Sequence, residues 1–262
     1  MRLPLYQVDA FTGDLFGGNP AAVCPLERWL SDATMQAIAA ENNLSETAFF
    51  VREGDRYALR WFTPSVEVDL CGHATLASGF VIMNFLEPRR ETVSFRTVKA
   101  GTLTVTRAAD MLAMDFPARP AAPAEAPAGL LAALGGAPRA LLRARDYLVV
   151  YDSAGEIAAL KPDFAALAKV KDCWAAIVTA LGEDGVDFVS RFFAPAQGVP
   201  EDPATGSSHC TLAPYWAEHL GKNTLEARQL SRRGGAIRCT LNGDRVSITG
   251  RAVLYLEGQI SV

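Results

Sequence analysis

Two stretches of this chain repeat one another at a nearly constant spacing, which limits the fold more tightly than composition does. Arg60-Trp61-Phe62-Thr63-Pro64 returns half a chain later as Arg191-Phe192-Phe193-Ala194-Pro195. The run Asp69-Leu70-Cys71-Gly72-His73-Ala74-Thr75 is echoed by Glu201-Asp202-Pro203-Ala204-Thr205-Gly206-Ser207-Ser208, with Gly206 at the place that corresponds to His73. Strand-like runs then open at Gly101 and at Gly235, and the spacing has widened only slightly by that point. Such agreement at three landmarks implies two copies of one fold. In each copy an extended apolar run passes a glycine and opens a helix, so each copy presents a helix N-terminus.

The segment Ala74 to Leu86 tells what surrounds the first helix. Leu76, Ala77, Phe80, Val81, Ile82, Met83, Phe85 and Leu86 lie all round it instead of along one stripe. A helix that is apolar all round is buried all round. Strand patterns follow at 93–95, 102–106 and 111–116, so sheet must enclose it. The expected fold is α+β: two pseudo-repeated domains, each a barrel-like, mostly antiparallel sheet wrapped around a central helix. Residues 117–129 carry Pro117, Pro120, Pro123 and Pro127 among alanines, a composition that stays extended. This places an N-terminal domain at 1–117, a linker at 118–129 and a C-terminal domain at 130–262.

A net charge of −4 and a pI near 5.5 give no electrostatic ground for a nucleic-acid partner. No apolar run reaches the roughly 18–20 residues of a membrane span. The N-terminus enters a strand pattern directly, without the apolar region of a signal peptide, so a cytoplasmic location is expected. Cys24, Cys71, Cys173, Cys210 and Cys239 are widely spaced and form no C-x-x-C pair. They suggest buried, reduced thiols, and no metal site is expected. No phosphate-binding glycine motif occurs, so no nucleotide cofactor is expected either.

The chemistry therefore gathers at the two helix starts. A helix N-terminus offers free backbone N–H donors and about half a positive charge. Gly72 and Gly206 let a ligand approach those amides closely, and a small carboxylic acid is the natural guest. Glu46 precedes Ala48-Phe49-Phe50, apolar neighbours that favour proton transfer near neutrality. His73 stands at the first helix tip, Asp202 and Ser207 in the second loop. Taken singly, each has a plainer reading: a strand-end glutamate, a capping histidine, an Asp-Pro turn, a serine cap.

Taken together and in order, the motifs are specific. Gly18-Asn19-Pro20-Ala21, Asn43-Leu44-Ser45-Glu46-Thr47-Ala48-Phe49, Cys71-Gly72-His73-Ala74-Thr75, Ser190-Arg191-Phe192-Phe193-Ala194-Pro195 and Glu201-Asp202-Pro203-Ala204-Thr205-Gly206-Ser207 resemble the PhzF-like, phenazine-biosynthesis-type isomerase family. The resemblance covers nearly the whole chain. It implies the diaminopimelate-epimerase-like fold, a site in the cleft between domains, a homodimer and no cofactor. By motif position it implies Glu46 as the proton-shuttling base, supported by His73 and Asp202. Gly72, His73, Gly206 and Ser207 are then expected to bind the substrate. Related racemases use two cysteines, one per domain. Here Cys71 fills the first position, while the spacing puts Pro203 near the second. The leading expectation is thus a cofactor-independent isomerase that shifts a proton within a small, cyclic, unsaturated acid. An amino-acid-type racemase or epimerase and a non-catalytic acid-binding protein are the alternatives.

Overall fold

The computed structural model describes residues 1–262 and divides into two compact units, residues 1–115 with 249–262, and residues 116–248. In chain order the first contains β1 (Arg2–Ala10), β2 (Asn19–Leu26), α1 (Asp32–Asn42), β3 (Glu46–Glu53), β4 (Arg56–Phe62), β5 (Glu67–Val68), α2 (Gly72–Val81), β6 (Thr92–Arg96), β7 (Thr102–Ala108) and β8 (Met111–Pro117). The second contains β9 (Ala122–Pro123), α3 (Leu130–Leu134), β10 (Ala140–Arg143), β11 (Tyr147–Val150), α4 (Ala154–Ala159), α5 (Phe164–Leu167), β12 (Ala176–Leu181), β13 (Phe188–Ala194), β14 (Val199–Asp202), α6 (His209–Leu220), β15 (Thr224–Gln229), β16 (Gly235–Asn242) and β17 (Arg245–Gly250). The last strand, β18 (Ala252–Ser261), returns to the first unit.

The repeat is real in the pairing pattern. In the first unit β2 and β3 are parallel, β3 and β4 antiparallel, β4 and β6 parallel, β6 and β7 antiparallel. In the second, β11–β12, β12–β13, β13–β15 and β15–β16 follow the same sequence of directions. The short β5 lies beside β4 as β14 lies beside β13. Both central helices, α2 and α6, leave from that short strand, so they occupy the same topological position.

Each sheet is covered on both faces, which is why its inner strands are buried almost throughout. In the first unit α2 packs on β1, β2, β3, β7 and β18, strands from distant parts of the sheet order, so the sheet wraps it. On the outer face Met35, Ile38 and Ala39 of α1 meet Phe49 and Phe62. In the second unit the stacked rings of Phe188 and Trp216 join β13 to α6 at 5.8 Å. Val189 and Phe193, on the opposite face of β13, join the core formed with α3, α4 and α5. The all-round apolar helix behaves as its sequence requires: His73 to Gly79 and Val81 to Met83 are buried, and a π turn over Ile82–Leu86 brings Asn84, Phe85 and Leu86 to the surface.

One device recurs in both units. Arg60 grips the Glu67 carboxylate with Nε and Nη2, each at 2.7 Å. Arg191 grips Glu201 with the same two nitrogens, at 2.7 and 2.9 Å. Each guanidinium lies over the phenylalanine two residues on, Phe62 at 5.2 Å and Phe193 at 4.9 Å. The clamp spans seven residues in the first copy and ten in the second. The three additional residues fall in the turn that contains the 3₁₀ stretch Pro195–Gln197. They account for the widening of the repeat between the Arg60 and Arg191 landmarks and those at Gly101 and Gly235.

Two features differ from the sequence expectation. The stretch read as a linker, 118–129, is partly strand, since Ala122 and Pro123 pair with β10. The C-terminal segment assigned with 130–262 to the second domain ends in the first unit, because β18 runs antiparallel to β1 from Ser261↔Arg2 to Ala252↔Ala10.

Candidate active site

Glu46 is placed by the end of one helix and the start of one strand. Asn43 closes α1 in the left-handed conformation (φ 49°), with its N–H on Ala39 O. Asn42 Nδ2 then donates to Thr47 Oγ1 at 3.0 Å and fastens the helix end to the strand beside Glu46. In the parallel β2–β3 register Glu46 stands opposite Ala21, so the Gly18-Asn19-Pro20-Ala21 and Leu44-Ser45-Glu46-Thr47 motifs meet side by side.

His73 reaches the same spot from the first turn of α2. Cys71 caps that helix in an extended conformation (φ −139°), and the Thr75 hydroxyl and amide both donate to its carbonyl. The imidazole is 5% exposed and lies between two groups. Its Nδ1 is 3.5 Å from Cys71 Sγ, and its Nε2 is 3.1 Å from Glu46 Oε2. The second contact is electrostatic: neither atom is aligned for a hydrogen bond, and both are otherwise unpartnered and buried. Since the Glu46 side chain remains 16% exposed while Oε2 is covered, Oε1 is the oxygen left accessible.

Burial opposes the imidazolium, the Cys71 sulfur and the Glu46 carboxylate favour it, and the balance holds His73 well above the ordinary histidine value. Burial pushes the Cys71 thiol up to about 11, with the Glu46 charge adding to the effect. The sulfur therefore stays protonated near neutrality, and the charge that supports the imidazolium there is that of Glu46. Donor atoms of Glu46, Cys71 and His73 lie within 4.8 Å of one another. Sulfur and carboxylate address different nitrogens of one ring, however. An ion would bind only one of those nitrogens, so the arrangement suits proton exchange between neighbours better than shared coordination.

The matching loop of the second unit holds Asp202, Gly206 and Ser207. Thr205 caps it in the same extended conformation as Cys71 (φ −113°, ψ 99° against −139°, 112°), and a glycine follows each. The residue four positions on donates to the cap carbonyl in both: Thr75 Oγ1 in the first, His209 Nδ1 at 2.8 Å in the second. The counterpart of Cys71 is therefore Thr205 and not Pro203, and that of His73 is Ser207 and not Gly206, because the longer turn before Glu201 shifts the register beyond the spacing of the earlier landmarks. Thr205 Oγ1 donates to Asp202 Oδ2, and Ser208 Oγ donates to Thr205 O at 2.8 Å. Gly206 is buried and Ser207 half-buried in the 3₁₀ turn that opens α6.

Glu46, Gly72 and His73 thus come together in the first unit, and Asp202, Gly206 and Ser207 share one loop of the second. Thr205 and Gln229 are not among the residues expected at the site, yet the Gln229 carboxamide bonds to this loop three times. A signal existed for Gln229: in Thr224–Gln229 the alternation of Leu225 and Ala227 turns position 229 to the core, where a carboxamide must have partners.

The family model described as "Phenazine biosynthesis-like protein" (PhzC-PhzF) matches residues 8–258. A relative from Pseudomonas aeruginosa described as an uncharacterized isomerase is 54% identical, covering 99% of both chains. The crystal structure of a PhzF-family phenazine biosynthesis protein from Enterococcus faecalis is 46% identical, with a TM-score of 0.96 and full coverage of both chains. At 10% identity and a TM-score of 0.60, a hydroxyproline epimerase from Agrobacterium vitis shares the fold over 99% of this chain and 92% of its own.

Proposed function

The chain belongs to the phenazine biosynthesis-like (PhzC-PhzF) family, and from that premise we propose that it is a cofactor-independent isomerase moving a proton within a small unsaturated acid. Glu46 is the base. Its accessible carboxylate oxygen takes a proton from an activated carbon, and the electron pair of the broken C–H bond is spread over the substrate's unsaturation and carboxyl group. The same carboxyl then returns the proton at a second carbon, and the double bond moves with it. No net proton is gained or lost.

His73 sets a positive charge 3.1 Å from the covered oxygen Oε2, which leaves Oε1 to reach the carbon. The first amides of α2, from Gly72 and His73, have no acceptor within the helix and suit a substrate carboxylate. Gly206 and Ser207 offer the equivalent amides in the second unit, with Asp202 as a supporting acceptor.

The observation that carries this reading is the pairing of Glu46 with His73 beside a thiol that stays protonated. A thiol with a value of about 11 is mostly unable to accept a proton at neutral pH, and its repeat counterpart, Thr205, is a hydroxyl. Both facts weigh against a racemase with two thiols and favour the single carboxylate. The test is Glu46→Gln, which keeps the shape and removes the basic oxygen. Turnover should fall by about 10²–10⁴, with solvent deuterium no longer entering the product. A carboxylate analogue should still bind within a few-fold. Normal turnover would remove Glu46 from the mechanism, and affinity lost in proportion to rate would make it a binding residue.

A further inference from the structure

Gln229 lies fully buried on β15, and all the hydrogen bonds of its side chain go to one loop. Its Oε1 accepts from Thr205 N–H at 2.8 Å. Its Nε2 donates to Asp202 O at 2.6 Å and to Thr205 Oγ1 at 3.1 Å. An amide placed in a strand core is costly unless every polar atom is paired, and here the pairing is complete.

The direction of these bonds follows from chemistry. The Thr205 amide can only donate, so the carboxamide atom facing it is oxygen, and the end facing Asp202 O and Thr205 Oγ1 is the NH₂. Thr205 Oγ1 receives an N–H, so its own hydrogen is free to point elsewhere, and the neighbour within reach is Asp202 Oδ2. The result is a chain of one polarity, from backbone N–H through Gln229 and Thr205 to Asp202, in which Oδ2 is the final acceptor. Ser231 Oγ, donating to Pro203 O at 2.7 Å, holds the same loop from the turn after β15.

We propose that Gln229 is a positioning residue for Asp202: by directing the Thr205 hydroxyl it keeps the Asp202 carboxyl an acceptor, ready to receive a proton and not to supply one. The proposal rests on Asp202 belonging to the reacting site, but its test does not. Charged groups on the adjoining elements are unchanged in Gln229→Met and Thr205→Val below, whereas Gln229→Glu also adds a negative charge beside Asp202. Glu201 on β14 is held by Arg191 of β13, Arg228 lies on β15, and Arg232 and Arg233 lie in the turn beyond it. His209, which bonds to the loop carbonyl, is pushed down to about 4 by burial and is neutral above that.

The experiment is a carboxyl titration of Asp202 by NMR in protein labelled with ¹³C at aspartate side-chain carboxyls, the signal identified by its loss in Asp202→Asn. Gln229→Met keeps the shape and removes the amide. Gln229→Glu replaces the donors with an acceptor. Thr205→Val removes only the last link, and serves if the Gln229 variants fail to fold. In each the Asp202 midpoint should rise by at least one pH unit, a tenfold gain in proton affinity, and most in Gln229→Glu. An unmoved midpoint in variants that keep the wild-type thermal transition overturns the proposal. A raised midpoint with unchanged turnover sustains the positioning role and removes Asp202 from the reaction instead.

Discussion

His73 and His209 stand near the starts of the two central helices, and burial acts against the charge on both, yet their basicities move in opposite directions. His73 has a carboxylate 3.1 Å away, whereas His209 has the Thr205 carbonyl and a buried, unpartnered Nε2. The His209 value of about 4 lies below the unfolded 6.5. Its contribution to stability is present above pH 6.5 and is lost as pH falls through about 4, on the order of 3 kcal/mol in all. His73 has the reverse sign: its contribution is present below 6.5 and is lost as pH rises through its raised value. In the window from 6.5 to 4 His73 is protonated folded and unfolded alike, so the slope there belongs to His209 and the carboxylates. His209→Gln should flatten the fall in urea midpoint across that window, and an unchanged fall would show that His209 protonates without cost. Cys71 yields a second expectation. Because the thiol is protonated near neutrality, Cys71→Ser should keep turnover within several-fold. A loss beyond about 10³ with the fold intact would make the sulfur a reacting group.

Helix α2 is enclosed so closely that one position admits no side chain. A Cβ at Gly79 would lie 2.6 Å from Val105 Cγ1 and 2.8 Å from Val105 Cβ, on the strand that crosses it. Val105 is fully buried and its branches are short, so it has little room to move. Gly79→Ala gains about 1 kcal/mol in helix propensity, but overpacking a tight core costs roughly 1–3 kcal/mol. A lower urea midpoint with the denaturant slope unchanged is the expected outcome. A raised midpoint would show that α2 can back away from β7. The Arg–Glu clamps act at the same level of organisation: they hold the segment between a buried strand and a helix tip, and they tolerate a difference of three residues in the turn they span.

The chain closes on itself through β18. Nine residue pairs join β1 to β18, and Val262 N–H donates to Met1 O at 2.8 Å. Ile260 also packs beside the Leu3 and Leu26 cluster under α1. The second unit is continuous in sequence, while the first needs both ends of the chain. Removing residues 252–262 should therefore damage the first unit selectively, since β1 would keep only its pairing with β2 over Tyr6–Ala10 and would become an edge strand with exposed N–H and C=O groups on its other side. Hydrogen exchange is the measurement: amides of residues 3–10 should lose protection while those of β12 and β13 keep theirs. Retained protection in β1 would mean that its pairing with β2 suffices.

The features legible beforehand were those written locally or periodically. The near-constant offset between the landmarks announced two copies, the all-round apolar run at 74–86 announced an enclosed helix, and the glycines at 72 and 206 marked the helix starts. Glu46 and His73, singled out separately in different motifs, prove to be neighbours at 3.1 Å. What the amino-acid order left open depends on contacts between residues far apart in the chain. One of the two partners of β1 comes from the opposite end of the sequence. The true counterpart of Cys71 depended on where three additional residues were absorbed, and only the folded turn before Glu201 shows that Thr205 takes the place. Gln229 meets the 202–205 loop because parallel pairing of β13 with β15 brings it there. Periodicity records which face of an element is apolar. Which polar atom meets which is settled when sheets close and every buried donor must find an acceptor.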